Sequence, residues 1–391
     1  MADLYDLPNG WEWKKLGDIA EYINGMAFKP KDWFDTGLPI IRIQNLNGSN
    51  DYNYFNGEAK DKYYVKDGDI LISWSASLDV YKWNRGDAIL NQHIFNTNIK
   101  FDAVDYNFFY HTIKYSLTEI IKNLHGVGIK HITKGKFENI DIPLPPLSEQ
   151  QRIVSKLDNL FEKIDKAIAL HQKNMNEANL FMGSVLNDVF TELEKKYKKI
   201  DFNSVCNKIT DGSHNPPKGV KNSEYLMLSS KNVINNTINF ENPRYLKEED
   251  FNRENKRTDV MVGDVLLTIV GTIGRTVVVE TDKKFVLQRS VAVLKPKSDL
   301  LNSYFLMYSL RKNLNILLSG AKGAAQKGIY LKSIKQLEIV AVPLETQQKI
   351  VKYLDEVSKK TEKVKSIQKV KMDNLKALKA SILDKAFRGE L

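Results

Sequence analysis

The sequence writes one helix opening twice. "PLSEQQRIV" runs from Pro146 to Val154 and "PLETQQKIV" from Pro343 to Val351, a displacement of about 197 residues. The same displacement matches Gln150-Gln151 to Gln347-Gln348, Leu157 to Leu354, "SVLNDVF" to "SILDKAF" and Phe190 to Phe387, with no gap. Upstream the echo is looser. "KDGDILIS" (Lys66 to Ser73) resembles "MVGDVLLT" (Met261 to Thr268), "IQNL" resembles "SKNV", and "LNQ" ending at Gln92 resembles "VLQ" ending at Gln288. A repeat of domain size that drifts upstream and holds downstream describes two variable surfaces on a fixed frame. Each half is therefore expected to be one mixed α/β unit followed by one long helix.

The downstream parts carry helix signals. Pro145 and Pro146 bar helix just before the first copy, and Ser148 with Gln151 has the spacing of a capping box. Ile153, Leu157, Leu160 and Ile164 alternate steps of four and three, as do Ile350, Leu354, Val357, Thr361 and Val364; this predicts a heptad seam, the core of a helix pair. The seam turns polar at His171 and Asn174 and again at Gln368 and Lys371. Two readings stand: a register-fixing polar layer between antiparallel helices, or a solvated interruption. From about Ser148 into the 190s the helix spans roughly 60–70 Å, the length of a spacer.

The upstream parts read as strands and turns. "LPIIRI", "DILISW" and "HIFNTNI" precede a helix near 106–123, and "YLMLSS", "DVLLTIV", "RTVVVE" and "SVAVLK" precede one near 301–318. Each unit closes in a basic, glycine-rich stretch. Lys130, His131, Lys134 and Lys136 stand in the first, and Lys322, Lys327 and Lys332 in the second; glycine allows close backbone approach to a phosphate and lysine supplies countercharge. Amide, imidazole and guanidinium groups at the recurring strand edges are the candidates for reading base edges. They are Gln44, Asn45, Asn91, Gln92 and His93 in the first unit, and Lys231, Asn232, Arg275, Gln288 and Arg289 in the second. The alternative for each is a turn cap or a core hydrogen bond.

A net charge of +10 and a pI near 9.2 favour an acidic partner, nucleic acid ahead of a membrane surface, or else reflect solubility alone. Cys206 is the single cysteine, which excludes an internal disulfide and a cysteine zinc cage and suits a reducing, cytoplasmic setting. No signal sequence or membrane-length apolar run is seen. The histidines show no metal pattern. "NPPK" at Asn215 lacks the aromatic residue of an amino-methyltransferase motif, and "GAAQKG" from Gly323 lacks the Lys-Ser/Thr ending of a nucleotide loop. No catalytic residue is expected.

Two variable α/β units, two similar long helices, "PLPPLSEQQRIV" at one joint and "SILDKAFRGEL" at the end resemble the specificity (S) subunit of type I restriction-modification enzymes. "LPNGWEWKKLGDIAEY", "GDILIS", "NQH" and "DGSHNPP" are also similar to that family. The resemblance implies two target-recognition domains (1–145 and 199–342), each reading one half of a split DNA sequence, and two helical spacers (146–198 and 343–391) forming an antiparallel coiled coil. It further implies docking of two methyltransferase subunits, which bring S-adenosylmethionine, and of restriction-translocase subunits; the chain itself would hold no cofactor. A coiled-coil scaffold whose α/β ends bind proteins and not DNA is the rival expectation.

Overall fold

The computed structural model describes residues 5–75, 78–123, 132–234, 236–319 and 328–391. The chain divides into two units, each assembled from distant stretches of sequence. The first holds residues 1–172 and 369–391, the second residues 173–368. No helix among the described residues is long and apolar enough to cross a membrane.

The first unit is built on strands β1 (Ala20–Asn24), β2 (Leu38–Ile41), β3 (Ile70–Ser73), β4 (Asp79–Lys82), β5 (Ala88–Leu90) and β6 (Ile94–Ile99). One antiparallel sheet has the order β1-β6-β3-β4, and a second sheet contains the parallel pair β2-β5. Helix α1 (Tyr106–Asn123) follows, then α2 (Leu147–Lys196). The apolar letters of "DILIS" run without polar alternation because Ile70, Leu71 and Ile72 are all buried, covered on both faces of their strand. Tyr22, Phe95, Phe108, Phe109 and Phe137 fill the space between sheet and helices, with Tyr22 and Phe137 edge to face at 4.9 Å.

The second unit repeats this order. Strands β7 (Cys206–Asp211), β8 (Leu226–Leu228), β9 (Val265–Thr268), β10 (Thr276–Val278), β11 (Phe285–Leu287) and β12 (Val291–Pro296) give an antiparallel sheet β7-β12-β9-β10 and a parallel pair β8-β11. Helices α3 (Ser303–Lys312) and α4 (Leu344–Phe387) complete it. The expected helix near 301–318 is broken after Lys312 and resumes as a short helix, Leu314–Ser319.

Each unit takes the first half of one long helix and the last half of the other. In the first unit, Lys379 on α4 pairs with Asp165 on α2 at 2.7 Å, and Arg152 donates to the carbonyl of Leu391 at 2.7 Å. Numbers rising on one segment as they fall on the other make these halves antiparallel. Ile153, Leu157 and Ile164 share their core with Leu383, Ala386 and Phe387. In the second unit Leu186, Phe190 and Leu193 share one with Val351 and Leu354.

The seam differs by one residue from the expected register. Ile153, Leu157, Ile164, Leu354 and Thr361 are buried, but Val364 is 44% exposed, and Leu160, Ile350 and Val357 are half-buried. The second stripe runs through Phe161, Ile168, Met175 and Met182 on α2 and through Ser358, Lys365, Met372 and Lys379 on α4, all buried or half-buried. A step of three and a step of four share every seventh residue, so both registers satisfy the shared stripe. Lysine resolves the choice: its stem lies on apolar surface while its ammonium stays wet, and Lys379 Nζ sits 4.7 Å over the Phe161 ring. Asn174 and Lys371 are exposed, so neither belongs to a buried polar layer; His171 and Gln368 are half-buried.

The helix openings also differ from expectation. α2 begins at Leu147, and the Pro146 carbonyl accepts from the backbone N–H of Glu149 and Gln150, so Ser148 lies inside the first turn and no capping box forms. The buried residue of each glutamine pair holds the joint instead. Gln150 Nε2 donates to the carbonyls of Ala103 and Pro145 at 2.8 Å, and its Oε1 accepts from Asp105 N at 2.8 Å. Gln347 repeats all three bonds, to Leu300 O at 2.9 Å, Val342 O at 2.7 Å and Asn302 N at 2.8 Å. Gln151 and Gln348 are exposed.

A second latch per unit ties the α/β helix to the long one. His111 Nε2 bonds to Asp158 Oδ1 at 2.9 Å, and at the equivalent place the Tyr308 hydroxyl donates to Asp355 Oδ1 at 2.6 Å. Burial pushes the His111 pKa down against the pull of Asp158, and Nδ1 has no hydrogen-bond partner among the described residues. The folded state thus binds the proton less readily than the unfolded chain. Its stability contribution is complete above the ordinary imidazole range and is lost as pH falls from there toward the lower folded value. His111→Tyr, which copies the second unit, is expected to flatten that segment of the stability profile, as read by urea denaturation between pH 5 and pH 8. An unchanged slope would assign the pH dependence to another group.

Candidate nucleic-acid interface

Five backbone segments meet at one edge of each unit, held by a set of four bonds that recurs pair by pair. In the first unit the turn between β5 and β6 carries Asn91, Gln92 and His93. Asn91 N donates to Ile41 O at 3.3 Å, Gln92 N to Met26 O at 3.0 Å and Trp74 N to His93 O at 3.4 Å, while Ile132 N donates to Trp74 O at 3.1 Å. In the second unit Gln288 N donates to Leu228 O at 2.9 Å, Arg289 N to Ser213 O at 2.9 Å, Ile269 N to Ser290 O at 2.9 Å and Ile329 N to Ile269 O at 2.9 Å. The structural partners are therefore Asn91 with Gln288, Gln92 with Arg289 and His93 with Ser290. Letter matching had set Gln92 against Gln288; hydrogen bonding moves that pairing by one.

Glycine is required at one point of this edge. A Cβ on Gly25 would lie 2.2 Å from the Asn91 carbonyl oxygen, and one on Gly212 would lie 2.1 Å from that of Leu287. Only a residue without a side chain lets the strand-end segment pass so close to the turn.

Two of the proposed readers are spent on structure. Asn45 is fully buried; its Oδ1 accepts from Arg42 N at 2.9 Å and its Nδ2 donates to Ser49 O and Asp51 O at 3.2 and 2.9 Å. Asn232 does the same work, accepting from Ser229 N at 2.9 Å and donating to Asn239 O and Glu241 O at 2.9 and 3.3 Å. Each amide closes a turn, so neither is available to a base edge.

Other candidates keep free reach. Gln44 is exposed, with one bond to Asp51 O at 3.2 Å, and Arg275 is exposed, with one to Val233 O at 3.1 Å. Asn91 and Gln288 are half-buried, and Asn91 Oδ1 accepts from His93 N at 3.3 Å. His93, Lys231 and Arg289 are exposed. Gln92 is half-buried, and its Oε1 has no partner among the described residues. Lys134 and Lys136 are exposed on the short helix Lys134–Glu138, the first paired with Glu138 at 3.6 Å, and Lys332 is exposed on the matching helix Leu331–Lys335. Lys130, His131, Lys322 and Lys327 lie outside the described residues.

Two neighbours escaped the sequence reading. The Trp74 ring stacks on Phe95 at 5.7 Å and tilts toward His93 at 5.7 Å, while its Nε1 has no hydrogen-bond partner among the described residues. Its position at the end of "DILISW" was the available signal. His214, in "DGSHNPP", follows Ser213 at the same edge and bonds to Asp211.

Donors, acceptors and cations on a rigid backbone edge can bind an acidic, hydrogen-bonding polymer. The Cys206 thiol is buried, its pKa pushed up to about 12. Among the described residues no three His, Cys, Asp or Glu side chains come together to hold a metal ion.

Known proteins share this organisation. The EcoBI type I restriction enzyme specificity subunit of Escherichia coli is 26% identical over 429 residues, covering 99% of this chain and 88% of the relative. The MjaVIII specificity subunit of Methanocaldococcus jannaschii is 25% identical over 418 residues, covering 98% and 94%. A solved chain from work on complex assembly and conformational transition of the type I R-M system shares the fold, with a TM-score of 0.72 at 22% identity over 99% of this chain and 100% of that one. The family described as type I restriction modification DNA specificity domain matches twice, at residues 8–179 and 193–372. With both halves of the repeat matched, the chain belongs to the type I restriction-modification DNA specificity family.

Proposed function

We propose that this chain is the non-catalytic DNA-reading subunit of a type I restriction-modification complex, in which each α/β unit recognises one half of a split, asymmetric target. One observation carries the reading: the two edges share their backbone bonds and glycines but differ in side chains, Gln92 against Arg289 and His93 against Ser290. A fixed frame with exchanged donors and acceptors is what reading two different half-sites requires. Residues 1–145 and 199–342 are then the target-recognition domains, with 146–198 and 343–391 as spacers that set the distance between half-sites and dock two methyltransferase subunits. Those subunits supply S-adenosylmethionine and methylate adenine N6, restriction-translocase subunits join them, and the work is cytoplasmic.

Co-expression with the partner methyltransferase and genome-wide mapping of methylated adenines tests this. One bipartite motif with two dissimilar halves is expected, together with DNA affinity that falls steeply as salt rises. Methylation without a motif, or affinity indifferent to salt, would leave a protein-binding scaffold as the better description.

A further inference from the structure

His214 is an exposed histidine held by a buried carboxylate. Its Nε2 bonds to Asp211 Oδ2 at 2.8 Å, and the Asp211 side chain is 8% exposed while that of His214 is 54% exposed. The other oxygen of Asp211 is taken by Arg257 Nη2 at 2.5 Å, and Arg257 Nε donates to the Asp211 carbonyl at 2.9 Å. A carboxylate engaged by a guanidinium is an acceptor only, so the imidazole proton facing it resides on Nε2. Nδ1 is the ring atom left over, on an exposed segment.

The segment itself is fixed. Gly212 passes within contact of the β11–β12 turn, Ser213 bridges Gln288, and Arg244 Nη1 donates to the Pro217 carbonyl at 3.0 Å. Exposed Lys218 follows on the same segment, and exposed Arg289, whose N–H bonds to the Ser213 carbonyl, lies on the adjoining turn. In the first unit the residue at this place, two beyond Gly25, is Ala27, so the arrangement belongs to the second unit alone.

We propose that His214, locked by Asp211 and Arg257, is a phosphate contact of the second unit, adding affinity for DNA without reading sequence. The inference rests on the DNA-reading function above. A single free ring nitrogen lacks the paired donor and acceptor pattern that distinguishes bases, whereas the doubly protonated ring offers one charge-assisted N–H, which suits a phosphodiester oxygen. Asp211 and Arg257 orient the ring and do not touch DNA.

The test uses the full-length chain in complex with its methyltransferase, bound to a target duplex across a salt series. His214→Ala is expected to weaken binding roughly tenfold and to make the salt slope shallower by about one unit, with the methylated motif unchanged. His214→Arg, cationic but without the lock, should recover the slope and part of the affinity. A melting temperature equal to wild type certifies folding, and His214→Gln, which retains a donor toward Asp211, serves if alanine destabilises. Unchanged affinity and slope in folded variants would overturn the proposal, as would a changed second half-site, which would make His214 a base reader. If the wild-type complex shows no salt-dependent affinity, the DNA-reading function fails first and the role of His214 with it.

Discussion

Gln347→Ala is expected to lower the unfolding free energy of the second unit by about 3 kcal/mol, and Gln150→Ala to cost the first unit a similar amount. Gln347 is 2% exposed and Gln150 fully buried, and each amide bonds three backbone groups that have no other partner among the described residues. Alanine removes one acceptor and two donors at once. A buried group left without its partner costs about 1–3 kcal/mol, so three would approach the whole stability of a domain if water were excluded. Water is not wholly excluded, because Gln347 borders an open cleft of about 390 Å³ lined by Leu300, Val342 and Pro343. Solvent entering there would satisfy part of the loss, which sets the estimate at the lower end. Gln347→Glu should be worse than alanine, since it turns the amide donors toward two carbonyls into acceptors and adds a charge. Urea denaturation with hydrogen exchange at the first turn of α3 measures the effect. A loss below about 1 kcal/mol at both positions would mean the joint is held by apolar packing and that the amides are incidental.

The joints were legible as places but not as bonds. Proline and the glutamine pair mark where a helix opens, and the repeat marks the opening twice; a capping box follows from those letters by local rules. The actual partners of Gln150 lie about 45 residues upstream, at Ala103 and Asp105, and no local rule reaches them. The offset of the seam's second stripe has a different reason. A stripe through Val357 and Val364 looks apolar in letters, yet Lys379 lies over the Phe161 ring and Lys365 is half-buried, because a lysine stem is apolar for most of its length. Asn45 and Asn232 had the right chemistry for bases and were consumed by turns, which only the carbonyls around them reveal. The letters also pointed to the turns that carry Gln92, His93 and Arg289, and these turns share the recurring backbone frame.

Exchanging residues 1–145 for the same region of a relative with another target is expected to replace one half of the methylated motif completely and leave the other half intact. The first unit's bonds show why the cut can be made there. Gln150 grips only backbone groups of the exchanged segment, at Ala103, Asp105 and Pro145, so any donor with the same backbone frame satisfies it. The second latch across the cut needs one side chain able to donate to Asp158, and at the equivalent place of the second unit a tyrosine donates to Asp355. The demanding contact is the C-terminal helix end: Phe387 stacks on Tyr115 at 4.8 Å with planes 11° apart and meets Phe108 at 5.3 Å. A donor carrying small residues at these two positions would lose the stack and destabilise the first unit, which would reduce methylation at every site rather than change the motif. A donor with aromatic residues there should fold, abolish methylation at the old motif and establish it at a new one, since discrimination between specific and unrelated DNA commonly spans 10³-fold or more. If both halves of the motif moved together, the two edges would be reading jointly. The pairwise equality of their backbone bonds would then mark common ancestry alone, with no division of labour between Gln92 and Arg289.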